Sequence, residues 1–83
     1  MKAEANLRKH GVSFEEAVTV FADPLAIIVS DVSYGDRWLA IGRSGRHLTL
    51  VVVHTQADED LVRIISAREA TRQERRRYEE GQI

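Results

Sequence analysis

Eighty-three residues make one small domain with a single modest core. There is no cysteine, which excludes a disulfide framework and thiolate metal sites. No run approaches the roughly 18 apolar residues of a membrane span, and no signal-like segment opens the chain, so a cytoplasmic protein without membrane attachment is expected. A net charge of −1 with 30% charged residues excludes a uniformly basic nucleic-acid binder.

Lys2 to His10 has no Gly, Pro or β-branched residue, and Ala3, Leu7 and His10 recur at helical spacing. Gly11 then sits where a left-handed residue closes a helix. Ser13-Phe14-Glu15-Glu16 reads as a capping box, with Val12 and Ala17 placed as a hydrophobic staple. Phe14, Ala17, Val18 and Phe21 form a core-facing stripe, and Asp23-Pro24 ends this second helix.

From Leu25 the period changes. Leu25 to Val29 reads as a strand, Asp31 to Gly35 as a loop, and Arg37 to Gly42 as an alternating strand. Arg43 to Arg46 is a hairpin connection, and Leu48 to His54 the strongest strand. Gln56 to Asp60 is an acidic loop, and Leu61 to Ala67 a buried last strand. Thr71 caps a final polar helix, about Thr71 to Glu80, with Glu74 completing a second capping box. Ala70 and Tyr78 are that helix's core contacts. The order is helix, helix, four strands, helix, an α+β domain with an antiparallel meander.

Between Arg63 and Arg77 stand six arginines against two acids, a basic segment inside a neutral chain. Arg63 and Arg68 interrupt an apolar strand, where an idle charge is costly, and so mark a site. Arg72, Arg75 and Arg76 share a helical face with Arg68; the face is either solvated or a phosphate stripe. Lys9 and His10 end the first helix, where cations also complement the dipole. Arg37 is either a surface ion-pair partner or a site cation. His54, after three valines, is either a proton-transfer group or a strand-end side chain with one hydrogen bond. Tyr78 reads first as packing. The three histidines do not have metal-ligand spacing, and there is no Gly-rich phosphate loop. The available chemistry is cationic: arginines hold phosphate oxygens and neutralise the charge that develops when a 2′-hydroxyl attacks its own phosphodiester.

Asn6-Leu7-Arg8-Lys9-His10-Gly11-Val12-Ser13-Phe14-Glu15-Glu16-Ala17, Val20-Phe21-Ala22-Asp23-Pro24, Arg37 with Gly42, Arg63-Ile64-Ile65-Ser66-Ala67-Arg68, and Glu74 with Tyr78 together resemble the BrnT toxins. The resemblance covers nearly the whole chain. It implies a RelE-like fold and a metal-independent endoribonuclease that cleaves RNA and inhibits translation, without cofactors. It also implies neutralisation by a BrnA-type antitoxin, through which alone the pair meets operator DNA. The positions it implies for catalysis are Lys9, His10, Arg37, Arg63 and Arg68, with His54 and Tyr78 as weaker additions; Arg72, Arg75, Arg76 and Tyr78 are the RNA-binding candidates. Family members carry a short strand with a Trp-Asp pair ahead of the first helix, and this chain opens Met1-Lys2-Ala3-Glu4. The expectation is therefore a single BrnT-like domain over 1–83 without that strand, with a sheet edge open to a partner or a second copy. The rival expectation is a catalytically silent truncated homologue acting as a protein-binding module.

Overall fold

The computed structural model describes residues 2–31 and 33–81. Helix α1 (Lys2–His10) leads into α2 (Phe14–Val18), which tightens into a 3₁₀ turn (Thr19–Ala22). Strands β1 (Ile27–Ser30), β2 (Trp38–Arg43), β3 (Thr49–Asp58) and β4 (Leu61–Glu69) follow, then α3 (Arg72–Glu79). The strands form one antiparallel sheet in the order β1-β2-β3-β4, so the expected α+β meander is what the chain adopts. Residue 32, inside the predicted 31–35 loop, lies outside the described residues. The predicted acidic loop shrinks to a turn at Glu59 and Asp60, because β3 continues through Gln56 to Asp58.

The helical start follows the capping logic with three corrections. Gly11 takes φ 72° and donates to the Leu7 carbonyl at 2.8 Å. Ser13 Oγ accepts from Glu16 N, but the predicted Ser13–Glu16 box is only half formed, because the Glu16 carboxylate turns away to accept from Ser44 Oγ at 2.7 Å; the staple residues Val12 and Ala17 are both buried. The core stripe, however, does not run on through Val18, which is 56% exposed. Once the chain tightens to three residues per turn, Ala17 is followed on the buried face by Val20. In α1 the predicted apolar face is also wrong: Leu7 is about half exposed, and the buried residue is Asn6. Its amide donates to the Val12 and Ala67 carbonyls and accepts from Ala67 N. Asn6 thus fills one station of the outer edge of β4, as a neighbouring strand would.

Cross-strand partners share a face, so the register sorts the sheet. One face carries Ala40, Leu50, Val52 and Ala67 and packs against Val12, Ala17 and Val20. Here Gly42 is required by close approach, since a Cβ would come within 3.0 Å of Ala26 Cβ and Val20 Cγ1. The other face carries Ile27, Ile41, Val51 and Arg68 in one row, then Val29, Leu39, Val53 and Ser66 in the next.

Helix α3 crosses that second face. At its start Arg68 forks onto Glu74 at 2.7 and 2.9 Å, and the predicted Thr71–Glu74 capping box is complete. At its end Tyr78 Oη donates to Asp23 Oδ2 at 2.5 Å, beside the turn into β1. Eight helical residues span about 12 Å, close to the roughly 14 Å across four strands, so the helix reaches from β4 to the β1 side. It covers the first row of this face and leaves the second row half-buried.

Candidate functional site

The second face carries three of the candidate cations, Arg37, Arg63 and Arg68. On β4, Arg63 pairs with Thr55, Ser66 with Val53 and Arg68 with Val51. Arg63 and Arg68 are an odd number of residues apart, which in a regular strand puts them on opposite faces. The register shift between Val53 and His54 inserts Ile65 as a bulge residue, and this returns both arginines to one face. Arg37 immediately precedes the Trp38–His54 pair and so stands beside Thr55. Arg37, Thr55 and Arg63 therefore form one row across three strands, with the two arginine backbones about 10 Å apart.

Lys9 and His10 approach from the side. Both are exposed and line a groove of about 260 Å³ between α1 and β4, whose other wall is Ile65 and Ser66. Asn6 fixes this juxtaposition through its three bonds to the α1–α2 turn and to β4. The result is a half-buried floor of Leu39, Val53 and Ser66, with Arg37 and Arg63 along one rim and the end of α1 at the β4 side.

Two expectations about β4 need correction. It is an edge strand, and only Ala67 is buried, so Arg63 is exposed and incurs no desolvation cost. The strand that is buried along most of its length is β3. Arg68 is half-buried, but its guanidinium is engaged by Glu74, whose carboxyl is pulled down to about 2 by that hydrogen-bonded partner. Arg68 also lies on β4, not on a helical stripe with Arg72, Arg75 and Arg76; those three are exposed on α3, with Arg76 3.7 Å from Glu80.

His54 falls on the opposite side of the sheet from the arginine row. It is 3% exposed, packs edge-on to Phe21 with centroids 5.0 Å apart, and neither ring nitrogen has a partner among the described residues. Burial lowers its pKa below the ordinary histidine value, favouring the neutral ring. The sheet separates it from the cationic face. Tyr78 is held against Asp23. Burial alone would raise the Asp23 carboxyl, but bonds from Tyr78, Arg43 N and Leu25 N outweigh it and hold the group below its usual value.

Sequence reasoning missed Asn6, Thr55 and Ser66 at this site. Thr55 and Ser66 become visible only through register, and a polar residue in an amphipathic helix carries no signal that it docks a strand edge. Among the described residues, no three His, Asp or Glu side chains converge as a metal-binding group, and no helix is long and apolar enough to cross a membrane.

Comparison with individually curated proteins finds no match. The family model for the ribonuclease toxin BrnT, of type II toxin–antitoxin systems, matches residues 1–74, and with them every candidate position up to Glu74. The chain belongs to this BrnT family of ribonuclease toxins, whose type II systems pair each toxin with an antitoxin.

Proposed function

We propose that the protein is a metal-independent endoribonuclease that cuts messenger RNA on the face flanked by α1, β4 and α3, in the manner of RelE-like toxins. Cutting messenger RNA in the cytoplasm would stop translation. The observation that carries this reading is the Arg37–Thr55–Arg63 row, with Lys9 and His10 at the neighbouring edge. The reaction is attack of a ribose 2′-oxygen on the adjacent phosphorus. The P–O5′ bond breaks, leaving a 2′,3′-cyclic phosphate and a 5′-hydroxyl. Arg37 and Arg63 bind the phosphate oxygens and neutralise the charge gained in the transition state. His10 takes the 2′-hydroxyl proton, and Lys9 at the same edge gives a proton to the departing 5′-oxygen. The antitoxin is of the BrnA type, and it supplies the contact with operator DNA.

The test is cleavage of single-stranded RNA in EDTA by the wild type, Arg37→Ala and Arg63→Ala. Wild-type cleavage, lost in both variants at unchanged melting temperature, is the expected result. Cleavage only with an added divalent ion, or full activity in both variants, overturns the reading.

One observation favours a second reading, a protein-binding module. Among the described residues no strand pairs with the outer side of β1, and Leu25 to Ser30 carries no charge to discourage pairing. An added strand from the antitoxin or from a second copy would fit there. Growth arrest on expression without antitoxin separates the two readings.

A further inference from the structure

The ribonuclease reading leaves the loop ahead of β2 without a role, yet this loop is built. Tyr34 N donates to Asp31 O at 3.0 Å, Arg37 N to Tyr34 O at 3.1 Å, and Asp31 N to Arg37 O at 2.9 Å. Ser33 N is capped by Asp31 Oδ1 at 3.0 Å. These bonds fold the loop back on itself and leave Tyr34 53% exposed. Arg37 places its guanidinium carbon 4.2 Å from the Tyr34 ring centroid. A guanidinium over an exposed ring attracts it weakly, but enough to bias the ring's orientation before any ligand arrives.

Other large apolar side chains are exposed as well, among them Leu7, Val18, Leu25, Ile28, Trp38 and Leu61. Ile28 and Trp38 pair with Ala40 and His54 on the face that α2 covers, and Leu25 lies in the turn before β1. Tyr34 has its ring against the guanidinium of a residue of the cationic row.

We propose that Tyr34 is a stacking platform for one unpaired base of the RNA, with Arg37 behind the ring and holding the neighbouring phosphate. The proposal rests on the ribonuclease reading and deepens it to single-stranded substrate. In-line attack by a 2′-hydroxyl needs a nucleotide turned out of helical geometry, and an exposed aromatic ring offers the turned-out base a replacement stack. Every base has a π-face, so this platform selects for an unpaired nucleotide and not for a sequence. Arg37 serves twice: it fixes the ring from one side and links the platform to the row that ends at Arg63.

The test uses a labelled, non-cleavable 2′-O-methyl RNA of about 12 nucleotides, within the span such sites cover. Fluorescence anisotropy in EDTA would compare this strand with the same strand annealed to its complement. Tyr34→Ala is expected to weaken single-strand binding about tenfold, the loss of one stacked base, and to leave duplex binding unchanged. Tyr34→Phe should bind as the wild type does, and the melting temperature of both variants should stay within about 3 °C of it, as the ring is exposed. Unchanged single-strand affinity in Tyr34→Ala, alongside weakening in Arg63→Ala, overturns the platform and spares the ribonuclease reading; Tyr34 would then face a protein partner. Equal losses on single strand and duplex also overturn it. A wild type that binds neither form overturns the reading beneath it.

Discussion

Arg63 and Arg68 lie on one strand and one face, yet their surroundings give them different work. Arg63 is exposed, whereas Arg68 forks onto Glu74 with both side chains largely shielded. Arg63→Ala should therefore leave stability within about 0.5 kcal/mol of the wild type, as at other surface sites. Arg68→Ala strands a partly buried carboxylate and loses two charge-assisted bonds, which should cost about 1–2 kcal/mol after allowing for exposure. Thermal melts of the pair, run beside the RNA assay, check the contrast. His54 makes a second prediction at this scale. Its folded pKa is depressed, so in acid the unfolded chain takes up a proton that the folded chain refuses. The neutral ring's contribution is present above its unfolded value of 6.5 and is lost as pH falls towards the lower folded value. By about pH 5.5 the loss reaches at most about 1.4 kcal/mol. His54→Leu removes both this term and two unsatisfied nitrogens. Its melting temperature should change less between about pH 7.5 and about pH 5.5 than the wild type's. An equal drop in both proteins would contradict the assignment.

Helix α3 is an element held by two polar clasps and little apolar burial: none of its residues is fully buried. Its docking should therefore follow the Arg68–Glu74 clasp. With Glu74 lowered from 4.5 to about 2, the clasp's contribution is present above 4.5 and disappears as pH falls through that window. Glu74→Gln should flatten the acid limb of the stability curve between about pH 5 and about pH 2.5, read by thermal melts. The elements most legible in the sequence were those announced locally: Gly11 after α1, the Thr71–Glu74 box before α3, and the valine run of β3. What could not be read depends on neighbours distant in sequence. No local signal distinguishes β4 as an edge strand, marks Ile65 as a bulge, or turns the core stripe from Val18 to Val20. The same holds at the site. Arg37 and Arg63 were visible as cations in strands, but their shared row with Thr55 exists only once three strands are in register. The position of His54 behind the sheet was equally hidden, because the face of a strand-end residue is set by its partners.

For the whole molecule the question is how a chain of net charge −1 holds a polyanion. Long-range attraction is absent, so binding must come from local contacts, and the number of those contacts is measurable. If the site is the row and edge described above, Lys9, Arg37 and Arg63 meet phosphates. Three contacts on a single strand imply a slope of about −2 in log affinity against log salt. If the arginines of α3 and the Glu74-bound Arg68 joined in, the contacts would number about eight and the slope would approach about −6. The structure favours the smaller value, because Arg68 is already satisfied by Glu74 and Arg76 lies near Glu80. A further constraint comes from the β3–β4 hairpin, where Asp58, Glu59 and Asp60 are exposed within five residues of Arg63. These acids oppose a phosphate arriving at Arg63. Replacing all three by their amides should tighten RNA binding several-fold at low salt, with the gain fading as ionic strength rises above about 0.15 M. Anisotropy titrations over a salt series, on the wild type and the amide variant, read both quantities together. A slope near −6 would extend the interface onto α3. No gain from neutralising the hairpin would move the RNA away from Arg63 altogether.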